Sequence, residues 1–267
     1  MSYWQDRVAI VTGASSGLGL AIAEAYSAAG ARVVLAARGV EALETAADSL
    51  RRQGRDVLPI PTDVTQQESV DQLIAKTMEK CGRIDVLVNN AGRSARRAVL
   101  ETKPEDFREL IELNLIAVVR TTLAAAPHLM KQHGHLVNIG SLAGKTATRY
   151  MGAYPASKFA VSAYTQQLRL ELGPQGLHVL LVCPGPIARS QPRERSEAEL
   201  AGLPESARKP GAGAKVNAIP PDELARKILR ACEKRQSELI VPAKARLLFV
   251  LSQLSPALGD FILRRKT

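Results

Sequence analysis

Residues 153–161 read Ala-Tyr-Pro-Ala-Ser-Lys-Phe-Ala-Val and place Tyr154 and Lys158 four positions apart at the start of a helical pattern. Four residues make about one helical turn, so the two side chains share a face. A free phenol ionises near pH ~10, too high for efficient proton exchange at neutral pH. An ammonium beside it in a partly desolvated cleft favours the phenolate, and a tenfold gain in ionisation needs about 1.4 kcal/mol. Such a pair can give a proton to a carbonyl oxygen or take one from an alcohol. It can equally be two amphipathic side chains at a surface, so the surrounding residues must decide. Pro155 leaves the geometry intact, because proline is accepted in a first helical turn, where its missing N–H has no partner anyway.

A second group of residues points to a nucleotide. Gly13, Gly17 and Gly19 in Val-Thr-Gly-Ala-Ser-Ser-Gly-Leu-Gly follow an apolar run and open a helix-period segment. Glycines at a strand-to-helix turn let the backbone approach a pyrophosphate, which sits on the helix N-terminus. The spacing Gly-x-x-x-Gly-x-Gly differs from the commoner Gly-x-Gly-x-x-Gly, and a bare structural turn is the plainer alternative. The strand–turn–helix context favours the cofactor. The next strand ends Leu-Ala-Ala-Arg. Ala37 stands where an acid would bind a ribose 2′-hydroxyl, and Arg38 follows, a residue that accommodates a 2′-phosphate. NADP is therefore expected rather than NAD, with Glu41, the nearest carboxylate, on the following helix.

The elements that must position these residues are legible as alternation. Apolar runs at 7–12, 31–37, 56–63, 84–90, 135–141, 178–185 and 237–242 are separated by helix-period segments. Nearly unbroken apolar strands between helices indicate a parallel sheet covered on both faces. With right-handed crossovers this is a single Rossmann-like, doubly wound α/β domain of about seven strands over residues 1–242. Residues 186–220 are charged and rich in Pro and Gly directly after a strand end, as expected of a substrate loop.

Composition excludes several classes. The chain has 267 residues, 46% hydrophobic but only 4% aromatic, so its core relies on Val, Ile, Leu and Ala. Cys81, Cys183 and Cys232 are scattered, which favours reduced thiols and a cytoplasmic setting. His128, His133, His135 and His178 show no ligand spacing, so no metal is expected. The net charge of +10 favours anionic ligands or surfaces. The basic residues are dispersed, without a zinc-finger or RNP-like motif, so nucleic acid is not expected. The N-terminus runs into the first strand with no signal-peptide pattern.

Taken together, these residues resemble the classical short-chain dehydrogenase/reductase family over about residues 5–242. The resemblance implies that the loop of Gly13, Ser15, Ser16, Gly17, Leu18 and Gly19 binds the cofactor, with Asp63 and Val64 at the adenine and Asn90, Ala91 and Gly92 after the fourth strand. It implies a tetrad of Asn114, Ser141, Tyr154 and Lys158. Ser141 would hold and polarise the reacting oxygen, Lys158 would also bind the nicotinamide ribose, and Asn114 would anchor a proton-relaying water. Pro184, Gly185 and Ile187 would contact the nicotinamide, beside Arg189 where the family usually has threonine.

The activity implied is NADP(H)-dependent interconversion of a carbonyl and a secondary alcohol, in the reductive direction. The alternative is a nucleotide-sensing or scaffold protein without turnover, which need not retain all four residues. The partner is a small-molecule substrate selected by residues 93–99, 142–153 and 186–220. Arg93, Arg96 and Arg97 could attract an acidic one, a solvated basic edge being the plainer reading. The resemblance also implies a homodimer or homotetramer.

Residues 243–267 form an amphipathic helical extension. Leu247, Val250, Leu251, Leu254, Leu258, Phe261 and Ile262 recur at helical spacing, flanked by Lys244, Arg246, Arg264, Arg265 and Lys266. Gln253, Pro256 and Asp260 interrupt a stretch already too short to span a bilayer. Two readings follow: a helix packed on protein, or one lying in an anionic membrane interface that brings the site to an apolar substrate.

Overall fold

The computed structural model of the chain describes residues 2–188, 203–208 and 217–266. Every apolar run read as a strand forms one. β1 (Val8–Thr12), β2 (Arg32–Ala37), β3 (Val57–Pro61), β4 (Val86–Asn89), β5 (His135–Ile139), β6 (His178–Pro184) and β7 (Glu238–Val241) make one parallel sheet in the order 3-2-1-4-5-6-7. β3, which carries Pro59 and Pro61, lies at the edge, where a missing N–H costs least.

Alternation along the strands divides the core between two faces. Ala9, Val11, Val33, Leu35, Val86 and Val88 face α1 (Gly17–Ala28), α2 (Val40–Arg52) and the later helix Pro221–Glu233. Val8, Ile10, Val34, Ala36 and Leu87 face α3 (Gln67–Cys81) and the later helices Ala117–Lys131 and Tyr154–Leu172. In chain order the helices of eight or more residues between α3 and the tail are α4 (Pro104–Ile111), α5 (Ala117–Lys131), α6 (Tyr154–Leu172) and α7 (Pro221–Glu233). Residues 104–131 are long and apolar enough to cross a membrane by length and composition, but Ala125 and Leu129 are buried against the sheet. Between α4 and α5, Glu112–Ile116 form a π-helical turn that sequence periodicity does not announce.

The tail is two helices rather than one, α8 (Ala245–Leu254) and α9 (Pro256–Lys266). Ser255 is extended, at φ −147° and ψ 104°, the conformation a following proline imposes. Phe249, which the sequence stripe left out, is buried against Val161, Leu181, Cys183 and Ile240.

Candidate active site

β1 pairs with β2 on one side and β4 on the other, so the chains leaving β1 and β4 part at the carboxyl edge of the sheet and open a crevice. Thr12 stitches its two walls together. Its Oγ1 accepts from the N–H groups of Asn90 and Ala91, both at 3.0 Å, and donates to the Val88 carbonyl at 3.2 Å. Asn90 Nδ2 donates back to the Thr12 carbonyl at 2.9 Å. Gly13 turns at φ +65°, in the left-handed region that a side chain would strain. A Cβ on Gly19 would stand 2.1 Å from the Gly13 oxygen, so only glycine lets α1 start so close to β1.

Ser16 caps α1 without a side-chain bond, and no acid lies in the first turn. The first amides of α1 are thus left for an anion beside Ser15 and Gly17, while Leu18 anchors the turn in the core. This cradle fits a dinucleotide pyrophosphate.

At the other end of the crevice, Ala37 is buried and Arg38 is exposed just before α2. Asp63 Oδ1 accepts from Thr65 N at 3.0 Å and Thr65 Oγ1 at 2.7 Å, with Val64 buried next to it. Burial pushes the Asp63 carboxyl up, but the Thr65 hydrogen bonds and the Arg38 charge together hold it below its ordinary value. Arg38 and Asp63 therefore flank one end of the crevice. Glu41 falls in the first turn of α2, as the sequence suggests.

The four residues expected to form the tetrad come from three elements, the π-helical turn, the turn after β5 and α6. Tyr154 is the first residue of α6 and half-buried, with Pro155 in the first turn, and Lys158 follows one turn later. Lys158 is 6% exposed and donates from Nζ to the Ile139 carbonyl at the end of β5, at 2.7 Å. Burial lowers its pKa to about 8. Asn114 sits in the π-helical turn and is fully buried. Its Nδ2 donates to the Arg93 carbonyl at 3.0 Å and to Ser157 Oγ at 2.9 Å, and its Oδ1 accepts from Arg93 N at 3.0 Å. Ser157 Oγ in turn donates to the Tyr154 carbonyl at 2.8 Å. A Cβ on Gly92 would lie 2.8 Å from Asn114 Oδ1 and 3.8 Å from Lys158 Nζ, which places all three around one small space. Ser141 caps the turn Leu142–Gly144, accepting from Ala143 N at 3.1 Å and keeping its own proton to donate.

The chain beyond β6 closes the far side. Gly185 N donates to Val241 O, and Pro186 and Ala188 bond the backbone of Ile219, setting Ile187 beside the buried Pro184. Arg189 and most of the expected substrate loop lie outside the described residues.

The family model for short chain dehydrogenases matches residues 7–200. The chain belongs to the short-chain dehydrogenase family. An uncharacterized oxidoreductase of Staphylococcus aureus (strain USA300) is 35% identical over 212 residues, 77% of this chain and 91% of that one. Among solved structures, a short-chain dehydrogenase/reductase from Burkholderia phymatum in complex with NAD is similar at a TM-score of 0.85 and 27% identity, covering 97% of this chain and 96% of its own. L-sorbose reductase from Gluconobacter frateurii, complexed with NADPH and L-sorbose, is similar at a TM-score of 0.76 and 28% identity, covering 89% of this chain and 95% of its own. The chain is thus an oxidoreductase of a family whose members hold nicotinamide cofactors.

Within this short-chain dehydrogenase, sequence reasoning missed Thr12, Ser157 and the Ile139 carbonyl, which act through hydrogen bonds that no motif spacing records. It also missed a buried ladder behind the site. Asn89 donates to Thr122 and Asn138 and accepts from Thr121, and Asn138 donates to Thr165 on α6. The solvated basic edge expected at 93–97 is corrected. Arg96 is 4% exposed and donates to the Ala95 carbonyl, while Arg93 pairs with Glu109 and Arg97 with Asp106 on α4. Arg93, Arg96, Arg97 and Asp106 line a cavity of about 40 Å³ that reaches Gly152 and Ala153, next to Tyr154, with room for ordered water.

At the opposite edge of the sheet of this dehydrogenase, the fold gathers His135, His178 and Cys232 within 4.8 Å of one another, a cluster their sequence spacing does not suggest. The Gln236 carbonyl can only accept, so His178 Nε2, at 2.7 Å, carries a proton. In the neutral ring His178 Nδ1 must then accept from His135 Nδ1–H at 2.8 Å, and His135 Nε2 accepts from the Tyr3 hydroxyl at 2.9 Å. Burial, with the neighbouring His178, lowers the His135 pKa to about 3, and burial lowers that of His178. The unfolded chain therefore binds more protons between about pH 3 and 6.5, so stability is complete above that window and is lost as pH falls through it. Unfolding free energies from urea titration are expected to fall between pH 7 and 5, by up to about 1.4 kcal/mol per pH unit for each proton, and His135→Asn should flatten the slope. An unchanged slope in that variant would locate the acid sensitivity elsewhere.

Proposed function

We propose that the chain is an NADP(H)-dependent carbonyl reductase that uses Ser141, Tyr154, Lys158 and Asn114. The observation that carries this reading is the burial of Lys158 one helical turn from Tyr154. Burying an ammonium is unfavourable, and its placement one turn from a phenol, beyond what holding a ribose requires, supports a role in proton transfer. The bound nicotinamide supplies the hydride. Ser141 donates its hydroxyl proton as a hydrogen bond to the carbonyl oxygen and holds it as charge develops there. Tyr154 delivers a proton to the same oxygen, and the Lys158 ammonium stabilises the phenolate that remains. Asn114 is a positioning residue. Its amide is committed to Arg93 and Ser157, so a relay water can reach only the remaining lone pair of Oδ1 or the peptide oxygen.

The preference for NADP rests on Arg38. It is exposed beyond the end of β2, next to the α2 N-terminus, and Ala37 offers no carboxylate to a ribose. The α2 dipole adds to the attraction for a 2′-phosphate. Arg38→Ala is expected to weaken NADPH binding about ten- to a hundredfold, the worth of a charge-assisted contact, and NADH far less. Calorimetric titration of both cofactors into both proteins measures this. Equal losses would reduce Arg38 to a general electrostatic contributor. Leu123 on α5 and Phe159 and Leu170 on α6 are exposed apolar side chains, which supports association of copies through these long helices.

A further inference from the structure

The two tail helices present a surface that neither the fold nor the reductase reading uses. Thirteen large hydrophobic side chains are exposed among the described residues, and five of them fall within 247–261. Leu247, Val250 and Leu254 occupy one face of α8 at intervals of three and four, and Leu258 and Phe261 are exposed at the same spacing on α9. The opposite face of α8 is anchored, since Phe249 is buried in the cluster of Val161, Leu181, Cys183 and Ile240. The helices cross closely where Gly259 meets Ser252, since a Cβ there would lie 2.5 Å from Ser252 Oγ. The hairpin is therefore held from behind while its apolar side faces outward.

Charge decides what covers that side. Lys244, Arg246, Arg264 and Arg265 are exposed around it, and the Arg265 guanidinium lies 4.3 Å over the Phe261 ring. Asp260 is the single acidic residue of 243–267. A second copy docked on this face would bring the same cations against themselves, which is unfavourable, whereas an anionic surface complements them. Helices of 10 and 11 residues rise about 15 Å each, half of a ~30 Å hydrocarbon core, so they can lie in an interface but cannot span it. We propose that the α8–α9 hairpin docks the protein on the surface of an anionic lipid membrane, with Leu247, Val250, Leu254, Leu258 and Phe261 entering the interface and the arginines and lysines meeting headgroups. This assignment does not depend on the cofactor or on turnover.

The test is co-sedimentation of the full chain with vesicles of phosphatidylcholine alone and of phosphatidylcholine with phosphatidylglycerol, at low and high salt. The anionic vesicles are expected to pellet at least about tenfold more protein than the neutral ones, and high salt should release it. The double variant Leu247→Glu/Leu254→Glu is expected to lose this binding while keeping its thermal midpoint and its NADPH affinity, because both positions are exposed. The milder pair Leu247→Ser/Leu254→Ser serves if the acidic pair lowers the midpoint. Equal recovery in the supernatant with both vesicles at low salt would overturn the proposal. So would light scattering showing that the same variants dissociate an oligomer while the native chain ignores lipid, since a second copy would then be the occupant.

Discussion

Tyr154→Phe is expected to lower kcat by about 10²- to 10⁴-fold, the usual worth of a positioned general acid, and to leave NADPH affinity nearly unchanged. The variant removes the one proton that can be transferred and keeps the ring. It should also keep the fold, because Tyr154 starts α6 through its backbone and the Ser157 bond goes to its carbonyl rather than its hydroxyl. Single-turnover rates with saturating NADPH separate the chemical step from binding. A variant that retains more than about a tenth of the native rate, a loss under ~1.4 kcal/mol, would mean that another group supplies the proton.

Lys158→Met should be nearly as damaging to turnover, for a different reason, and should weaken NADPH as well. In the proposed mechanism the ammonium favours the Tyr154 phenolate and binds the nicotinamide ribose, and a charged hydrogen bond of that kind is worth about ten- to a hundredfold in affinity. Stability should move the other way or not at all. The Lys158 pKa is lowered to about 8, so the folded state disfavours the charged form that the unfolded chain carries freely. Folding therefore releases a proton between about pH 8 and 10.5, and stability rises with pH across that window. Removing the buried charge at pH 7 relieves this cost, offset by the lost bond to Ile139, and the thermal midpoint is expected to hold or rise. For the native enzyme kcat/KM in the reductive direction should decline above about pH 8, as Lys158 loses its proton. A midpoint that drops sharply in Lys158→Met would make Lys158 a structural residue.

The sheet was legible in the sequence because strands buried on both faces must read as unbroken apolar runs, and every such run is a strand. The glycine turn and the four residues expected at the site stood out in the sequence because the chemistry proposed for them needs particular side chains. What supports them did not. Thr12, Ser157 and the Ile139 carbonyl are ordinary residues whose roles arise only when β1, β4, β5 and α6 are side by side. The π turn that aims Asn114 inward adds no residue type, only a local change of helical period. The burial of Arg96 and the meeting of His135 with His178 are likewise products of register. β5 and β6 place the two histidines opposite each other, though 43 residues separate them. In the tail, the stripe and its interruption at Pro256 were visible, but the inward turn of Phe249 was not, since a periodic pattern does not say which side the core will take.

Transfer of deuterium from NADPH labelled at the reactive nicotinamide carbon tests the central claim most directly. The labelled cofactor is offered with a panel of aldehydes and ketones, apolar and acidic members included, and the products are read by mass spectrometry. The proposed function predicts deuterium on the carbinol carbon of at least one alcohol formed by the native chain, in an amount matching the NADPH consumed, and formed at least about a hundredfold more slowly by Tyr154→Phe. A native chain that binds NADPH and yet transfers no deuterium to any member of the panel, or one that transfers it equally well without the Tyr154 hydroxyl, would contradict it.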